Sequence, residues 1–217
     1  MINLTFAKQS KADFTLLCLG AHSDDIEIGC GGTILRLLEE IPNANVLWIV
    51  LGAAGQRADE ALESANLFLA NARRREVVIK GFRDGFFPYI GGEIKQFFED
   101  LKGQCSPDLI LTHYRADLHQ DHKIVSDLTW NTFRNHLILE YEIVKYDGDI
   151  GIPNFFMHLS DAICRRKTSI LLKCFKSQKE KAWFTEDTFL SILRLRGLES
   201  NAPERYAEAF YGRKIVH

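Results

Sequence analysis

LGAHSDDIEIGCGGT, residues 19–33, is the stretch of sequence from which the fold can be inferred. The apolar run that leads into it, residues 14–19, is typical of a strand buried in a parallel sheet. The segment that follows, residues 29–40, has helical spacing and opens with glycine. The chain is therefore expected to pass from a buried strand through a short polar turn into a helix.

The turn itself concentrates side chains that can bind a metal. It contains one imidazole, His22, the adjacent carboxylates of Asp24 and Asp25, and a third carboxylate at Glu27. Acidic side chains crowded at the end of a strand repel one another unless a proton or a cation lies between them. We therefore interpret this turn as part of a metal site.

Apolar strands and amphipathic helices alternate along the first two thirds of the chain. Further strands are predicted at residues 45–51, 76–79 and 108–112, and further helices at residues 58–72, 91–102 and 121–133. Asp121 is a candidate N-cap for the last of these helices. This alternation predicts an α/β fold with a doubly wound, mostly parallel sheet.

The last third of the chain has a weaker pattern. Residues 141–145 alternate in polarity, residues 147–153 are rich in turn formers, and residues 155–159 form a short apolar run. The remaining predicted elements are helices at residues 162–175 and 187–195 and a closing segment at residues 206–216.

Composition limits the classes of protein to consider. With 217 residues and no linker-like stretch, the chain is interpreted as a single domain covering residues 1–217. A net charge of −2 with scattered Lys and Arg disfavours a nucleic-acid partner, and five widely spaced cysteines favour reduced thiols. No apolar run reaches the roughly 20 residues of a membrane span. We expect a soluble, cytoplasmic protein, and formation of a homo-oligomer stays open.

A second polar cluster, THYRADLHQDH at residues 112–122, follows the fourth predicted strand. In open parallel sheets, ligand sites form beyond the carboxyl ends of the strands where the winding order reverses, and strands one and four are neighbours there. The two clusters are therefore expected to meet. The second one supplies three imidazoles and two carboxylates: His113, His119, His122, Asp117 and Asp121.

His22, Asp25 and His122 are the candidate metal ligands. A catalytic zinc takes three protein ligands, accepts neutral imidazole and carboxylate, and leaves one position for water. We expect one Zn²⁺ per chain, with another divalent ion such as Fe²⁺ as the alternative. Asp24, adjacent to a ligand without being needed as one, is the candidate general base.

His119 and Asp121 are candidate catalytic residues beside the metal. His119 lies three positions before His122, so it can reach the same site, stabilise a developing oxyanion and give a proton to the leaving group. Asp121 is expected either to orient His119 and favour its imidazolium form, or to support a metal ligand from behind. N-capping of the following helix is the structural alternative for Asp121.

HSDDIEIGCGG together with DLHQDH resembles the LmbE-like or PIG-L family of zinc-dependent N-acetyl deacetylases, which cleave acetyl groups from amino-sugar conjugates. The resemblance extends over residues 16–210. It implies a Rossmann-like sheet, zinc held by the three ligands above, a general base at Asp24, and His119 as the acid that stabilises the oxyanion. Ser23 stands where the family usually carries Pro, which affects only the rigidity of the turn.

Three further positions are similar to weaker features of the family. Arg57 and Glu60 fall where members carry an Arg and a Glu at the start of the second helix, and Arg57 is a candidate ligand for a sugar hydroxyl or phosphate. Asp84 corresponds to an acidic residue of a substrate-side loop. Ordinary structural roles compete at each position, namely a solvated helix start and an Asp-Gly turn.

The sequence thus predicts a metal-dependent amidohydrolase that removes acetyl from a small N-acetylated amino sugar or its conjugate. A metal phosphoesterase is the nearest rival, although such enzymes usually need two metals. A non-catalytic nucleotide-binding module is the second rival, since GCGG before a helix resembles a phosphate-binding turn. Its spacing departs from G-x-G-x-x-G, and the carboxylates before it would repel a pyrophosphate.

Overall fold

A seven-stranded sheet with the strand order β3-β2-β1-β4-β5-β7-β6 forms the centre of the protein. The computed structural model describes residue 6 and residues 13–215. Within these residues the strands are β1 Phe14–His22, β2 Ala44–Gly52, β3 Arg74–Ile79, β4 Leu109–His113, β5 Leu137–Tyr141, β6 Phe155–Leu159 and β7 Tyr206–Gly212. The helices are α1 Asp25–Glu40, α2 Gln56–Phe68, α3 Gly91–Lys102, α4 Gln120–Thr132, α5 Asp161–Cys174 and α6 Glu186–Glu199.

The first five strands are parallel, and the last two complete the sheet with antiparallel pairings of β7 to β5 and to β6. The doubly wound, mostly parallel α/β fold is therefore confirmed. β1 pairs with β2 on one side and β4 on the other, which is where the winding order reverses. Among the residues described, no helix is both long enough and apolar enough to cross a membrane.

Alternate residues of β1 enter two different hydrophobic cores, as expected for a central strand covered on both faces. Leu16 and Cys18 belong to the core formed with α1, α2, α5 and α6. Leu17 and Leu19 belong to the core formed with α3 and α4. Residues on both faces are fully buried, so the polar turn after β1 is held on a rigid support.

The glycines of GCGG lie inside helix α1, not in a turn before it. A Cβ on Gly29 would come within 2.2 Å of the Tyr141 ring, and one on Gly31 within 2.7 Å of Phe68. A Cβ on Gly32 would come within 2.5 Å of Leu159. These glycines allow close packing of α1 against its neighbours, which accounts for the motif without a bound phosphate.

A buried ion pair also contacts the middle of α1. Lys167 of α5 and Glu208 of β7 lie 2.6 Å apart and are 1% and 3% exposed. Glu208 accepts hydrogen bonds from the backbone N–H groups of Gly32 (2.8 Å) and Thr33 (2.6 Å), and Lys167 Nζ donates to the carbonyl of Ile28 (2.7 Å). The pair therefore fastens α1 to two elements from the far end of the chain.

Several predicted boundaries were wrong. Helix α1 begins at Asp25 instead of residue 29, because acidic side chains are favoured in a first helical turn. The fifth strand covers Leu137–Tyr141 instead of the alternating run at residues 141–145, because Ile138 and Leu139 pack into the two cores on opposite faces of the sheet. The N-cap of α4 is His119, not Asp121. Of the closing segment, residues 206–212 form β7, and residue 216 lies outside the described residues.

Candidate metal centre

The two polar clusters meet at the carboxyl ends of β1 and β4. β1 ends at His22 and α1 starts at Asp25, whereas β4 ends at His113 and α4 starts at Gln120. Because β1 and β4 are paired neighbours, their following loops lie side by side. The topology therefore brings together side chains separated by about 100 positions, such as His22 and His122.

Three side-chain atoms form a nearly equilateral triangle. His22 Nδ1 lies 3.3 Å from Asp25 Oδ2 and 3.2 Å from His122 Nε2, and these last two atoms lie 3.5 Å apart. Tetrahedral zinc with bonds of about 2.0–2.2 Å would separate its ligand atoms by about 3.3–3.6 Å. Two imidazole nitrogens and one carboxylate oxygen at these distances fit a zinc-type ion in both donor chemistry and spacing.

The other nitrogen of His22 is held by two carboxylates. His22 Nε2 lies 3.1 Å from Asp121 Oδ2 and 3.1 Å from Asp84 Oδ1. Asp121 is fully buried and is itself fixed by the backbone N–H groups of Gly85 (2.6 Å) and Phe87 (3.1 Å). Carboxylates in this position select the tautomer that leaves Nδ1 free for a metal.

His122 has an equivalent partner in Asp117, a residue to which sequence reasoning gave no role. Asp117 Oδ2 lies 2.9 Å from His122 Nδ1 and 3.0 Å from Lys145 Nζ. Its other oxygen accepts from the backbone N–H of His119 at 2.7 Å. Its position in the DLHQDH motif was the available signal, because a metal-binding imidazole commonly has an orienting carboxylate.

His113 lies against the triangle, but its nearest nitrogen is already used. His113 Nε2 is 3.2 Å from Asp25 Oδ2, accepts a hydrogen bond from the backbone N–H of Ala21 (2.9 Å), and lies 3.3 Å from the Tyr141 hydroxyl. Its ring stacks on His122 at 3.9 Å. Burial and the neighbouring His122 lower the pKa of His113 to about 4, so it is a neutral support for the site.

The carboxylate and the two imidazoles of the triangle favour one another's charged forms. Burial opposes charge on both imidazoles, yet Asp25 and the other nearby carboxylates raise the pKa of His22 well above its usual value and raise that of His122. The pKa of Asp25 lies well below its usual value despite burial, because three imidazoles surround it. A bound cation would take the place of these protons, since metal ligation requires deprotonated imidazole.

Asp24 and Glu27 differ although both are buried beside Asp25. Burial and the charge of Asp25 raise the pKa of Asp24, while Arg57, whose Nη2 lies 3.8 Å from Asp24 Oδ1, acts in the opposite direction. Asp24 lines the cavity at the site. Glu27 does not line it; Ser64 faces Glu27, and burial raises the pKa of Glu27 well above its usual value. Burial therefore favours the neutral form of Glu27.

His119 reaches the site, but its electrostatics are opposite to our expectation. Its ring centroid lies 4.9 Å from that of His22 and 4.5 Å from that of His122. Burial and the charges of these two imidazoles lower its pKa, and together they outweigh Asp121, whose carboxylate faces His22 instead. His119 Nδ1 accepts from the backbone N–H of Asp121 (3.2 Å), so the neutral ring carries its proton on Nε2.

Arg57 and Asp84 lie together at the mouth of the site. Arg57 donates to Asp84 Oδ2 (2.8 Å) and to Ser23 Oγ (3.1 Å), so the serine that stands in place of the usual proline is an anchor for this arginine. Glu60 accepts from the backbone and the hydroxyl of Ser177 at 2.9 and 2.5 Å. Glu60 thus joins helix α2 to a distant loop and does not contact the metal triangle.

A cavity of about 350 Å³ opens over the triangle, lined in part by His22, Asp24, Asp25, His119 and His122. A larger cavity of about 840 Å³ lies near the amino ends of the strands, where residues such as Thr15 and Asn45 line it. None of the described residues around that second cavity is a histidine. The smaller cavity is therefore the one with metal-binding chemistry.

Solved structures of the same fold belong to enzymes with different reactions. The N,N'-diacetylchitobiose deacetylase from Pyrococcus horikoshii is 19% identical, with a TM-score of 0.64, and the alignment covers 92% of this chain and 83% of that one. The teicoplanin deacetylase Orf2, in its zinc-inhibited form, is 15% identical, with a TM-score of 0.72 and coverage of 91% and 97%. The 4-carboxy-2-hydroxymuconate hydratase GalB from Pseudomonas putida KT2440 is 16% identical, with a TM-score of 0.72 and coverage of 94% and 98%. At these identities the likeness shows the fold alone.

The sequence supplies the assignment that the fold cannot. Residues 17–133 match the model of the PIG-L family, described as GlcNAc-PI de-N-acetylase. This match covers more than half of the 217 residues and includes both polar loops. The chain belongs to the PIG-L family.

Proposed function

We propose that this protein is a metal-dependent hydrolase that removes the acetyl group from an N-acetylated amino sugar or its conjugate. Family membership supports the reaction class. The observation that carries the proposal is the triangle of His22, Asp25 and His122, with Asp24 beside it in the same cavity. Three ligands with further space over them are the arrangement of a catalytic rather than a structural site.

His22, Asp25 and His122 would hold one Zn²⁺ or a similar ion such as Fe²⁺. When bound, such an ion lowers the pKa of water and polarises a carbonyl group. Asp121 and Asp117 fix the two imidazoles from behind, so that Nδ1 of His22 and Nε2 of His122 stay directed at one point. Two-metal phosphoesterase chemistry is disfavoured, because the alternative ligand groups among the described residues all share His22 or His122 with this triangle.

Asp24 is the proposed general base. Burial and the charge of Asp25 raise its pKa, which makes it a better proton acceptor than an ordinary aspartate. In the reaction, the oxygen of water forms a bond to the amide carbon and Asp24 takes a proton from that water. The carbon–nitrogen bond then breaks, the nitrogen takes the proton held by Asp24, and the products are acetate and a free amine.

His119 is the proposed oxyanion donor, acting as a neutral imidazole. Because its Nδ1 accepts a backbone N–H, its Nε2–H is available to the substrate. Neutral imidazole can stabilise a developing oxyanion through a hydrogen bond without carrying a charge of its own. Arg57 and Asp84, held together at the mouth of the cavity, are the proposed contacts for sugar hydroxyls.

Acetate release from a panel of N-acetylated sugars, measured with metal-loaded protein, tests the reaction. Asp24→Asn should keep the metal and lose about 100-fold or more in kcat, the usual scale of a positioned base. His119→Ala should also keep the metal, and kcat should fall by about 100-fold with little change in KM. His136→Ala, a histidine far from this cavity, is the matched control.

The hydratase GalB defines the outcome that would overturn the proposal. Its fold is the same, although as a hydratase it adds water and does not remove an acetyl group. If the protein adds water to an unsaturated acid and releases no acetate from any N-acetylated sugar, it is a hydratase and the proposal is wrong. Near-normal turnover by metal-loaded Asp24→Asn would instead remove Asp24 from the mechanism.

A further inference from the structure

The rim of the cavity carries a lysine that the reaction leaves unused. Lys181 and Trp183 lie on the loop between the 3₁₀ turn Lys176–Gln178 and helix α6, and both line the cavity. Tyr146, 74% exposed, lines the same cavity from the loop after β5. One cation and two aromatic rings are thus presented at a site where substrate must enter.

Lys181 differs from the other cations of the cavity in having no anionic partner among the residues that the structure describes. Arg57 is paired with Asp84 at 2.8 Å, and Lys145 with Asp117 at 3.0 Å. Around Lys181, by contrast, none of the described carboxylates comes within 4.0 Å of Nζ. Lys181 lines the same cavity as Asp24, the proposed base.

The loop that carries Lys181 is firmly held. The N–H of Lys181 donates to the carbonyl of Gln178 (3.0 Å), and the N–H of Phe184 donates to the carbonyl of Lys181 (2.9 Å). The Trp183 ring packs edge-on against buried Phe184 at 5.7 Å, and Lys181 Nζ lies 5.3 Å from the Trp183 centroid. The lysine and the indole therefore form one ordered surface.

We propose that Lys181 and Trp183 form a subsite for a negatively charged group attached to the N-acetylated sugar, such as a phosphate or a carboxylate. An aromatic ring suits the apolar face of a sugar or linker, and a lysine is a point charge that binds phosphate and carboxylate alike. A cavity of about 350 Å³ is near the lower end of the usual ligand range, about 300–1,000 Å³, so an attached group would extend to the rim. This inference rests on the proposed deacetylation and specifies its substrate class.

Paired substrates test the subsite. N-acetylglucosamine 1-phosphate and the N-acetylglucosaminide of glycolic acid carry a phosphate and a carboxylate, and methyl N-acetylglucosaminide is the neutral reference. Metal-loaded wild-type protein should favour the charged compounds through a lower KM. Lys181→Met should raise that KM by about 10-fold, the scale of one hydrogen bond to a charged group, and so remove the preference. The phosphate and carboxylate arms distinguish the two groups.

Lys179→Met is the matched control, because Lys179 lies on the same loop and does not line the cavity. Equal effects of Lys181→Met on charged and neutral substrates, or no effect on either, would overturn the subsite. Trp183→Leu should raise KM for all three compounds if the ring is a contact surface. An unchanged KM for all three would remove Trp183 from it.

A binding measurement separates failure of the subsite from failure of the proposed function. Calorimetry with glucosamine 1-phosphate and methyl glucosaminide on metal-loaded protein requires no turnover. Tighter binding of the phosphate compound that Lys181→Met abolishes would support the subsite even if no acetate is released. Binding that is independent of Lys181, together with normal acetate release, would overturn the subsite and leave the deacetylation standing.

Discussion

Two clusters of buried charge contact helix α1, and they differ in how their charges are balanced. At the middle of the helix, Lys167 and Glu208 neutralise each other, and backbone groups of α1 occupy their remaining hydrogen-bonding positions. At its start, the buried carboxylates of Asp24 and Asp25 face imidazoles whose pKa values are raised. A cluster balanced within the chain is a structural device, whereas one left negative is suited to bind a cation.

The largest loss of stability is expected from removing one charge of the Lys167–Glu208 pair. Lys167→Met would leave Glu208 buried without its counter-charge, and we expect a loss of about 3–5 kcal/mol in the free energy of unfolding. Urea denaturation measures it. The double variant Lys167→Met with Glu208→Gln should recover most of the loss, because no unpaired charge then remains.

Lys173→Met on the same helix is the control, because Lys173 is exposed and forms only a surface pair with Glu63 at 3.4 Å. It should change the free energy of unfolding by less than about 0.5 kcal/mol. A similar loss from both lysine variants would mean that burial is not what distinguishes the Lys167 pair.

An intermediate effect, on metal affinity, is expected from removing a carboxylate that orients a ligand in the cluster at the start of α1. Asp117→Asn removes the carboxylate that fixes His122, so the affinity for zinc should fall by about 10–100-fold. Competition with a chromophoric chelator measures this affinity. Asp127→Asn, an exposed carboxylate on the same helix α4, should leave it unchanged. Equal zinc affinity in wild type and Asp117→Asn would show that His122 needs no orienting partner.

The smallest expected effect is a gain in stability instead of a loss. In metal-free protein Asp24→Asn should raise the free energy of unfolding by about 1 kcal/mol at neutral pH, because it removes one of two adjacent buried carboxylates. A raised folded-state pKa means that ionised Asp24 costs stability above that pKa. The gain should therefore disappear as the pH falls below the ordinary aspartate value of 3.8, where Asp24 is protonated in both states.

Thermal or urea unfolding across this pH range checks the sign. Destabilisation of the metal-free protein by Asp24→Asn would mean that Arg57 already balances this carboxylate. Asp24 would then be charge-balanced within the chain, as Glu208 is, and would not add to the negative charge of the cluster at the start of α1.

The sequence was sufficient to predict the parallel sheet and the meeting of His22, Asp25 and His122. Continuous apolar strands identify the sheet, and parallel strands bring their following loops to one edge. The sequence was insufficient to predict how the imidazole rings are oriented. Asp121 and Asp117 determine which nitrogen of His22 and of His122 faces the site, and the spacing of residues along the chain does not indicate this choice. Asp121 does favour the imidazolium form of His119, as expected, but burial and the imidazoles of His122 and His22 outweigh it and lower the pKa of His119.

Contacts between segments far apart in the sequence could not be predicted either. Lys167 and Glu208 are 41 positions apart, and Glu208 lies 176 positions from Gly32, so neither periodicity nor motif spacing indicates their contact. The loop of Lys181 and Trp183 was not predicted as part of the site either. Nothing local in its sequence distinguishes it from an ordinary surface loop before the fold brings it to the cavity.

The attachment of α1 to Lys167 and Glu208 has a consequence for the order in which this protein acquires its site. Residues 17–133 contain all three candidate metal ligands, yet the side chains that bind Ile28, Gly32 and Thr33 arrive only with α5 and β7. During synthesis α1, which carries Asp25, would therefore stay incompletely anchored until β7 has left the ribosome. Such long-range closure is slow compared with local folding, so the metal site should mature last although its residues are made first.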